Sequence, residues 1–511
     1  MSEKIKITIV TDDEKQNIEM GDKPKEFVTV THDPSATLMS TLLQNNLIEG
    51  SFCGQRGDCG RCMVQFIQGA PLPTSLERSR LKAEELRMGY RLSCLARPKD
   101  DCVIKLVFPR EHQIPIVTKM VDLSENIDLI GQRNKSSVFR KVDVIIAVDL
   151  GTTTIAMQLR QMDTGEVIDT YCEMNPQRKY GADVLSRIQA SCDGYGEALK
   201  QCVWEVLERG VRQFTASVNI ESISGICIAG NTTMEHLFMG YDVSSLGRSP
   251  FTPVEIGLQK CKGPFAIPIY IAPGISTFVG GDIVAGLYAL GMIPGGGEKP
   301  PGQGKICLLI DLGTNGEMAI TDGTDMLVTA TAAGPAFEGG MEKAVVGTDM
   351  IAVTSSLRKK DILDETGLLT EPYFTEGVEI HTQRGNFTLG NQDIRALQMA
   401  KAAVRAGVEI LWEQMGRPQI ERVYLAGGFG YYLDVEAAFA IGLLPEHMHG
   451  GVQAVGNTSL EGAFRIGRDL CRGVTDGRTL EENLSYVRTI NLAQQEVFER
   501  LYLEYMNLCE N

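Results

Sequence analysis

A chain of 511 residues has room for two or three domains, and 43% hydrophobic composition with 6% aromatics is that of an ordinary globular protein with ample core. A formal net charge of -16, with no Lys/Arg run interleaved with aromatics, argues against nucleic acid as a partner. No stretch reaches the roughly 20 apolar residues of a membrane span, and the opening MSEKIKITIV lacks an apolar signal core, so the expectation is a cytoplasmic chain with no membrane association.

In chain order, Ile5, Ile7 and Ile9 alternate as in a strand, residues 27–30 form a second strand, and Leu38, Leu42 and Leu43 mark a short helix. Cys53, Cys59 and Cys62 follow in a C-x5-C-x2-C loop, with Cys94 far downstream. Three thiolates on one loop and a fourth from another segment suit a 2Fe-2S cluster, in the plant-type ferredoxin arrangement with one extra residue in the first gap. Gly54, Gly57 and Gly60 let the backbone wrap closely and aim N–H groups at a negatively charged cluster. Zinc would call for two C-x2-C pairs, and only Cys59 and Cys62 form one. Residues 63–67 read as a strand. Thr74 and Glu77 form a capping box opening a helix that leads through Tyr90 to Cys94, and residues 103–108 close the sheet. The expected unit is an α+β, β-grasp ferredoxin domain over residues 1–108, moving one electron at a time. The other cysteines are scattered singly, as with Cys227 in GICIAG and Cys307 in KICLLI, and read as reduced core residues.

Residues 109–141 have weak periodicity and mixed charge, the pattern of a linker. The Gly/Pro-rich PGGGEKPPGQG near residue 300 then divides the remainder, 142–511, into lobe one (142–300) and lobe two (305–511). Both lobes open alike: a buried strand over 142–150 ends in DLGTTT, and one over 305–312 ends in DLGTNGE. Two further strands follow each, over 153–160 and 167–172, and over 317–321 and 326–331, which marks an internal duplication. Helices are expected over 182–189, 198–217, 282–290 and 392–412, the last with Ile394, Leu397, Val404, Val408 and Leu411 on one face. A strand ending in Asp and turning through Gly and Thr offers backbone N–H groups and hydroxyls to phosphate, while the carboxylate holds magnesium through water. Two such hairpins in duplicated lobes are placed to clamp a triphosphate. Further Gly-rich turns follow strands at 226–230, leading into Asn231, Thr232 and Thr233, and at 423–426, leading into Gly427, Gly428, Phe429 and Gly430. His447, Met448 and His449 read as a surface turn, and the amphipathic 487–506 reads as packing back on lobe two.

DLGTTT, DLGTNGE and YLAGGFG resemble the two phosphate loops and the adenosine motif of the actin, sugar kinase and Hsp70 superfamily. That resemblance implies two α/β, ribonuclease H-like lobes with ATP and Mg2+ in the cleft. Asp149 and Asp311 would then be the catalytic carboxylates, coordinating Mg-ATP or positioning the attacking water. Gly151, Thr152, Thr153, Gly313, Thr314 and Asn315 would bind phosphates, and Gly427, Gly428 and Phe429 would contact adenosine.

A ferredoxin domain followed by such an ATPase resembles the reductive activators of corrinoid-dependent enzymes, which return Co(II) corrinoid to Co(I) at the expense of ATP. Nearly the whole chain takes part: NPQRKYGADVLSRI, GNTTMEHL with Asn231, VGGDIVAG with Gly281 and Asp282, TAAGPAFEGG with Gly334, Pro335 and Glu338, and DIRALQMAKAAVRAG all resemble that family. The implied partners are a corrinoid protein of a methyltransferase system and a low-potential electron donor, with a homodimer among the open oligomeric states. Two departures stand out. The linker runs so soon into the first phosphate hairpin that no room is left for a middle domain, and only Cys471 and Cys509 follow Asn457, which excludes the branch with C-terminal 4Fe-4S clusters. Rival readings are an activator of 2-hydroxyacyl-CoA dehydratases, a small-molecule kinase with a fused redox domain, and a redox-sensing nucleotide switch without catalytic activity.

Overall fold

The structure, a computed structural model, describes residues 4–11, 26–45, 47, 62–81, 83–106, 117–121, 143–294, 305–313, 315–333, 347–382, 385–449 and 451–508. Chain contacts divide the protein into two units, Met1–Glu111 with Pro176–Cys202, and His112–Asn175 with Val203–Asn511.

In the first unit β1 (Ile5–Thr11) buries Ile7 and Ile9 and pairs antiparallel with β2 (Glu26–His32). Helix α1 (Leu38–Gln44) covers the sheet with Leu38, Met39 and Leu42. Strand β3 (Met63–Gln68) leaves directly from Cys62, and Thr74 and Glu77 form the expected capping box of α2 (Ser75–Arg80). That helix does not continue to Cys94. A second short helix, α3 (Ala83–Arg87), is followed by Gly89 at φ +85, where a Cβ would fall 2.3 Å from Phe66 O. Only glycine fits such an approach, and it turns the chain into β4 (Tyr90–Leu92), antiparallel to β3. Strand β5 (Cys102–Leu106) is central rather than closing an edge, because it pairs parallel with β1 and antiparallel with β3 in the order β2-β1-β5-β3-β4. Residues 176–202 carry α4 (Val184–Ala190), capped by Asp183, with Arg187 fully buried on Gly181 O at 2.9 Å.

The second unit is built on two sheets of the same plan. One contains β6 (Val144–Leu150), β7 (Thr154–Gln161), β8 (Val167–Met174), β9 (Ile223–Gly230), β10 (Gln259–Lys262) and β11 (Pro268–Ile271), in the order β10-β11-β9-β6-β7-β8. The other contains β12 (Ile306–Leu312), β13 (Gly316–Thr321) and β14 (Met326–Thr331) and, after a separate hairpin of β15 (Val378–Thr382) and β16 (Gly385–Leu389), β17 (Ile420–Ala426), β18 (Val452–Gly456) and β19 (Val487–Thr489). Its order is β18-β17-β12-β13-β14-β19. In each sheet an antiparallel meander opens the lobe and its first strand then gains a parallel neighbour, β9 or β17. The duplication expected from the two Asp-ending strands is therefore a duplication of topology. VIIAVDL and ICLLIDL are buried on both faces, which is why they read as continuous apolar runs without alternation.

Helices α5 (Gly196–Phe214), α6 (Thr232–Met239) and α7 (Gly281–Ala289) belong to the first lobe sequence. Helices α8 (Gly347–Lys359), α9 (Tyr373–Glu376), α10 (Asn391–Gln414), α11 (Gly427–Tyr432), α12 (Val435–Ala440), α13 (Thr458–Cys471), α14 (Gly477–Leu484) and α15 (Phe498–Glu504) follow in the second. The expected apolar face of α10 enters the core of its lobe through Ile394, Leu397, Val404, Val408 and Leu411. A second core joins both sheets: Ile145 and Ala147 from one, Leu309 and Ala319 from the other, and Val284, Leu460 and Phe464 from α7 and α13. These two helices touch backbone to backbone, since a Cβ on Gly462 would lie 1.9 Å from Ala285 O.

The C-terminal segment packs back on lobe two as expected, Leu492 and Leu501 meeting Ala406 and Ile410 of α10, and it begins as strand β19. His447 stacks on Trp412 and His449 packs against Phe439, so these rings serve packing. His449 also lies 3.4 Å from Glu436, a nearby carboxylate that the sequence does not reveal.

Candidate functional site

Of the four expected cluster ligands, Cys62 and Cys94 are brought together, their Sγ atoms 3.2 Å apart in the interior, beyond the ~2.05 Å of a disulfide. Adjacent strands deliver them: β3 starts just after Cys62, β4 ends just before Ser93 and Cys94, and Ser93 N–H donates to Cys62 O at 2.8 Å. Glu77 of the capping box reaches over and accepts from Leu92 N at 2.8 Å, tying α2 to the same strand end. Met39, Leu81 and Leu92 enclose the thiols. Cys53 and Cys59 lie outside the described residues. The pair fits an iron-sulfur group on two counts. Two buried thiols are close enough to share one metal, and the buried Ser93 hydroxyl beside them has no hydrogen-bond partner among the described residues. A negatively charged sulfur cluster accepts such bonds.

Asp149 closes β6, and Gly151, Thr152 and Thr153 turn the chain into β7. Two asparagines hold this hairpin by hydrogen bonds. Asn175 donates from Nδ2 to Gly151 O and from its backbone N–H to Thr153 O, both at 2.8 Å. Asn231, the N-cap of α6, donates from Nδ2 to Thr152 Oγ1 at 3.0 Å. Asp149 itself is held by the start of α13: Oδ2 accepts from Asn457 Nδ2 at 2.8 Å and Oδ1 from Ser459 Oγ at 3.0 Å. Asn457 is the N-cap of α13, so the carboxylate sits where the helix dipole favours negative charge.

Two further carboxyls accompany Asp149. Burial pushes Asp149 up while its bonds to Asn457 and Ser459 pull it back. Asp282, in the first turn of α7, is pushed up to about 7 by burial and by the charge of Asp149. Glu235 of α6 is raised well above the ordinary carboxylate range by burial and by Asp282, although Gly230 N–H donates to it at 3.1 Å. The charge of Asp149 raises Asp282 and that of Asp282 raises Glu235, so a cation beside them would favour their ionised forms. Among the described residues no three His, Cys, Asp or Glu side chains converge at metal-ligating distance.

Asp311, half-buried, closes β12, with the buried Glu317 of β13 opposite it in register. Gly313 N–H donates to Asn315 O at 2.9 Å and closes the turn; Thr314 lies outside the described residues. Parallel pairing of β12 with β17 sets Ala426 beside Asp311, and Gly427 then adopts φ +81, where a Cβ would lie 2.5 Å from Asp311 Oδ1. Gly428 has open space where its side chain would be. Phe429 is buried in the lobe-two core, so this residue offers a ligand its backbone rather than its ring.

Sequence reasoning found both hairpins but missed Asn175, Glu235, Asn457 and Ser459. One signal was present: Gly-Asn-Thr at 230–232 recurs at 456–458, each time ending a strand and opening a helix. Asn231 and Asp282, which lie in segments resembling the corrinoid activators, both border the Asp149 hairpin. Gly334, Pro335 and Glu338 lie outside the described residues.

Residues 22–99 match the model of a 2Fe-2S iron-sulfur cluster binding domain, residues 144–294 that of the RACo middle region, and residues 305–344 and 341–511 that of the C-terminal ASKHA domain of RACo. The chain belongs to the RACo family. The family's middle region coincides with the β6–β11 lobe, which corrects the expectation that a middle domain is missing. The chain is 29% identical over 391 residues to the corrinoid activation enzyme RamQ of Eubacterium limosum, an alignment covering 62% of this chain and 63% of RamQ. The match thus spans slightly less than two thirds of that relative's length. It is 22% identical over 427 residues to the [Co(II) methylated amine-specific corrinoid protein] reductase of Methanosarcina barkeri, covering 70% of this chain and 76% of the reductase. A solved structure described as a reductive activator for corrinoid,iron-sulfur protein superposes with a TM-score of 0.62 at 23% identity, over 99% of this chain and 98% of that one, and shares its fold. In the described residues no helix is long and apolar enough to cross a membrane.

Proposed function

We propose that the protein is an ATP-dependent reductive activator of a corrinoid protein, passing one electron to Co(II) to regenerate the Co(I) used in methyl transfer. The observation that carries this reading is the presence in one chain of the apposed Cys62 and Cys94 thiols and of a hydrogen-bonded Asp-Leu-Gly-Thr-Thr hairpin in a duplicated two-sheet unit. Cys53, Cys59, Cys62 and Cys94 are the ligands of a 2Fe-2S cluster. When bound, the cluster would supply single electrons for Co(II), drawn from a low-potential donor.

Asp149 and Asp311 are the carboxylates that would hold Mg2+ or position the water that attacks ATP. Gly151, Thr152, Thr153, Gly313, Thr314 and Asn315 receive the phosphates, and Gly427, Gly428 and the backbone at Phe429 receive adenosine. Reduction of Co(II) lies below the reach of ordinary donors, and each ~59 mV of shortfall costs a factor of about ten in a one-electron equilibrium. ATP offsets it by biasing two lobes between arrangements with different affinities for the Co(II) partner.

The test mixes anaerobic protein with a Co(II) corrinoid protein, a donor too weak to reduce cobalt alone, and Mg-ATP. The Co(I) absorption band appears only with ATP, and the Co(II) protein stimulates hydrolysis. Equal cobalt reduction with and without ATP rules the reading out.

A further inference from the structure

Although the sequence reads 109–141 as linker, residues 117–121 are docked. Val121 N–H donates to Val455 O at 2.8 Å, Asn457 N–H donates to Lys119 O at 3.1 Å, and Met120 bridges antiparallel to Gly456. From β7, Gln158 Nε2 donates to Thr118 O at 2.7 Å. Val117 is buried and Met120 packs on the core shared by the two sheets. The approach is too close for any side chain at Gly456, where φ is +81 and a Cβ would lie 2.1 Å from Lys119 O. These are the contacts of a built anchor.

The side-chain amide of Asn457 lies at the centre of it. Its Oδ1 accepts from Leu460 N at 2.8 Å, while Nδ2 donates both to Val117 O at 3.0 Å and to Asp149 Oδ2 at 2.8 Å. An amide is planar and its two N–H donors diverge at a fixed angle, so it cannot follow one partner without tilting away from the other. One side chain thus touches both the first phosphate hairpin and the linker.

We propose that Asn457 is a positioning residue that ties Asp149 to linker segment 117–121, so that nucleotide at the hairpin changes how firmly the linker is held. The proposal rests on the nucleotide-binding role argued above. The bond to the Asp149 carboxylate is charge-assisted and the stronger of the two donor bonds. When Asp149 turns toward a hydrated cation, the amide follows it, and the bond to Val117 O is the one released. Segment 117–121 then keeps its pairing with β18, the bond from Asn457 N–H to Lys119 O and the bond from Gln158.

Hydrogen–deuterium exchange on the full-length protein tests this, with Mg-ATP affinity measured on the same sample. In the wild type, Mg-ATP speeds exchange of the 117–121 amides by at least about fivefold, the lower end of the range for coupled sites. Asn457→Ser keeps a good N-cap but cannot reach both partners, so its linker exchanges fast with or without nucleotide. Ser459→Ala removes a donor to Asp149 without touching the linker, and retains the nucleotide-dependent change. Unchanged linker exchange in a wild-type protein that binds Mg-ATP overturns the proposal, as does a change that persists in Asn457→Ser or disappears equally in both variants. Failure of the wild type to bind Mg-ATP overturns the nucleotide reading itself, and this inference with it.

Discussion

Asp149 is an acceptor for two side chains that arrive some 300 residues later in the chain, and this decides what its replacement should do. Asp149→Asn preserves shape but cannot neutralise a cation, and its amide turns a donor toward Asn457 and Ser459. ATP hydrolysis is expected to fall by about 10²–10³-fold, or ~2.7–4 kcal/mol in the barrier, the usual cost of losing one electrostatic stabiliser. Phosphate release at saturating ATP measures it, and an unaltered rate would show that the hairpin is misassigned. Asp282 gives a pH signature. Its folded pKa is raised from 3.8 to about 7, so between those values the native state binds more protons than the unfolded one. With more protons on the native side, stability falls as pH rises through that window. The thermal midpoint of the protein free of nucleotide and Mg2+ should therefore drop from pH ~5 to ~8, and Asp282→Asn should flatten the slope. Parallel pH profiles for wild type and variant would rule out Asp282 as its source.

At the scale of elements, the contact of α7 with α13 is set by glycine. A methyl group on Gly462 would need the space of Ala285 O, which cannot yield without moving α7, the helix that carries Asp282 in its first turn. Gly462→Ala should destabilise the unit by about 1–3 kcal/mol through overpacking, and should weaken ATP binding because the same shift moves α13 under Asn457 and Ser459. Thermal unfolding and nucleotide titration check both. A variant with normal stability would mean that the helices separate freely, against the close packing seen. The capping box of α2 works likewise on the cluster side: Glu77 both caps a helix and fixes Leu92 beside Cys94.

At the scale of the molecule, the thiol pair and the Asp149 and Asp311 hairpins draw on different cores. Cys62→Ala should consequently abolish the visible absorption of the cluster while leaving the affinity for Mg-ATP unchanged. On the proposed reading the variant also keeps hydrolysis stimulated by the Co(II) partner yet fails to produce Co(I). Loss of nucleotide binding along with the cluster would show that the two chemistries cannot be separated by one thiol.

The sequence by itself determined the cysteine spacing, the two Asp-ending strands and the repeated plan, because these depend on neighbours within one loop or on apolar runs that record burial on both faces. It also placed the capping box at Thr74 and Glu77, a matter of four residues. It misread the stretch from α2 to Cys94, where Gly89 and pairing with β3 override helix-forming residues. Tertiary structure alone decided that Asn457 and Ser459 bind Asp149, that Glu235 and Asp282 share its electrostatics, and that residues 117–121 anchor on Gly456 and Asn457. Hydrogen bonds and burial at long sequence separation leave no periodicity to read, since any polar residue at a strand end looks like an ordinary cap until the fold supplies its partner.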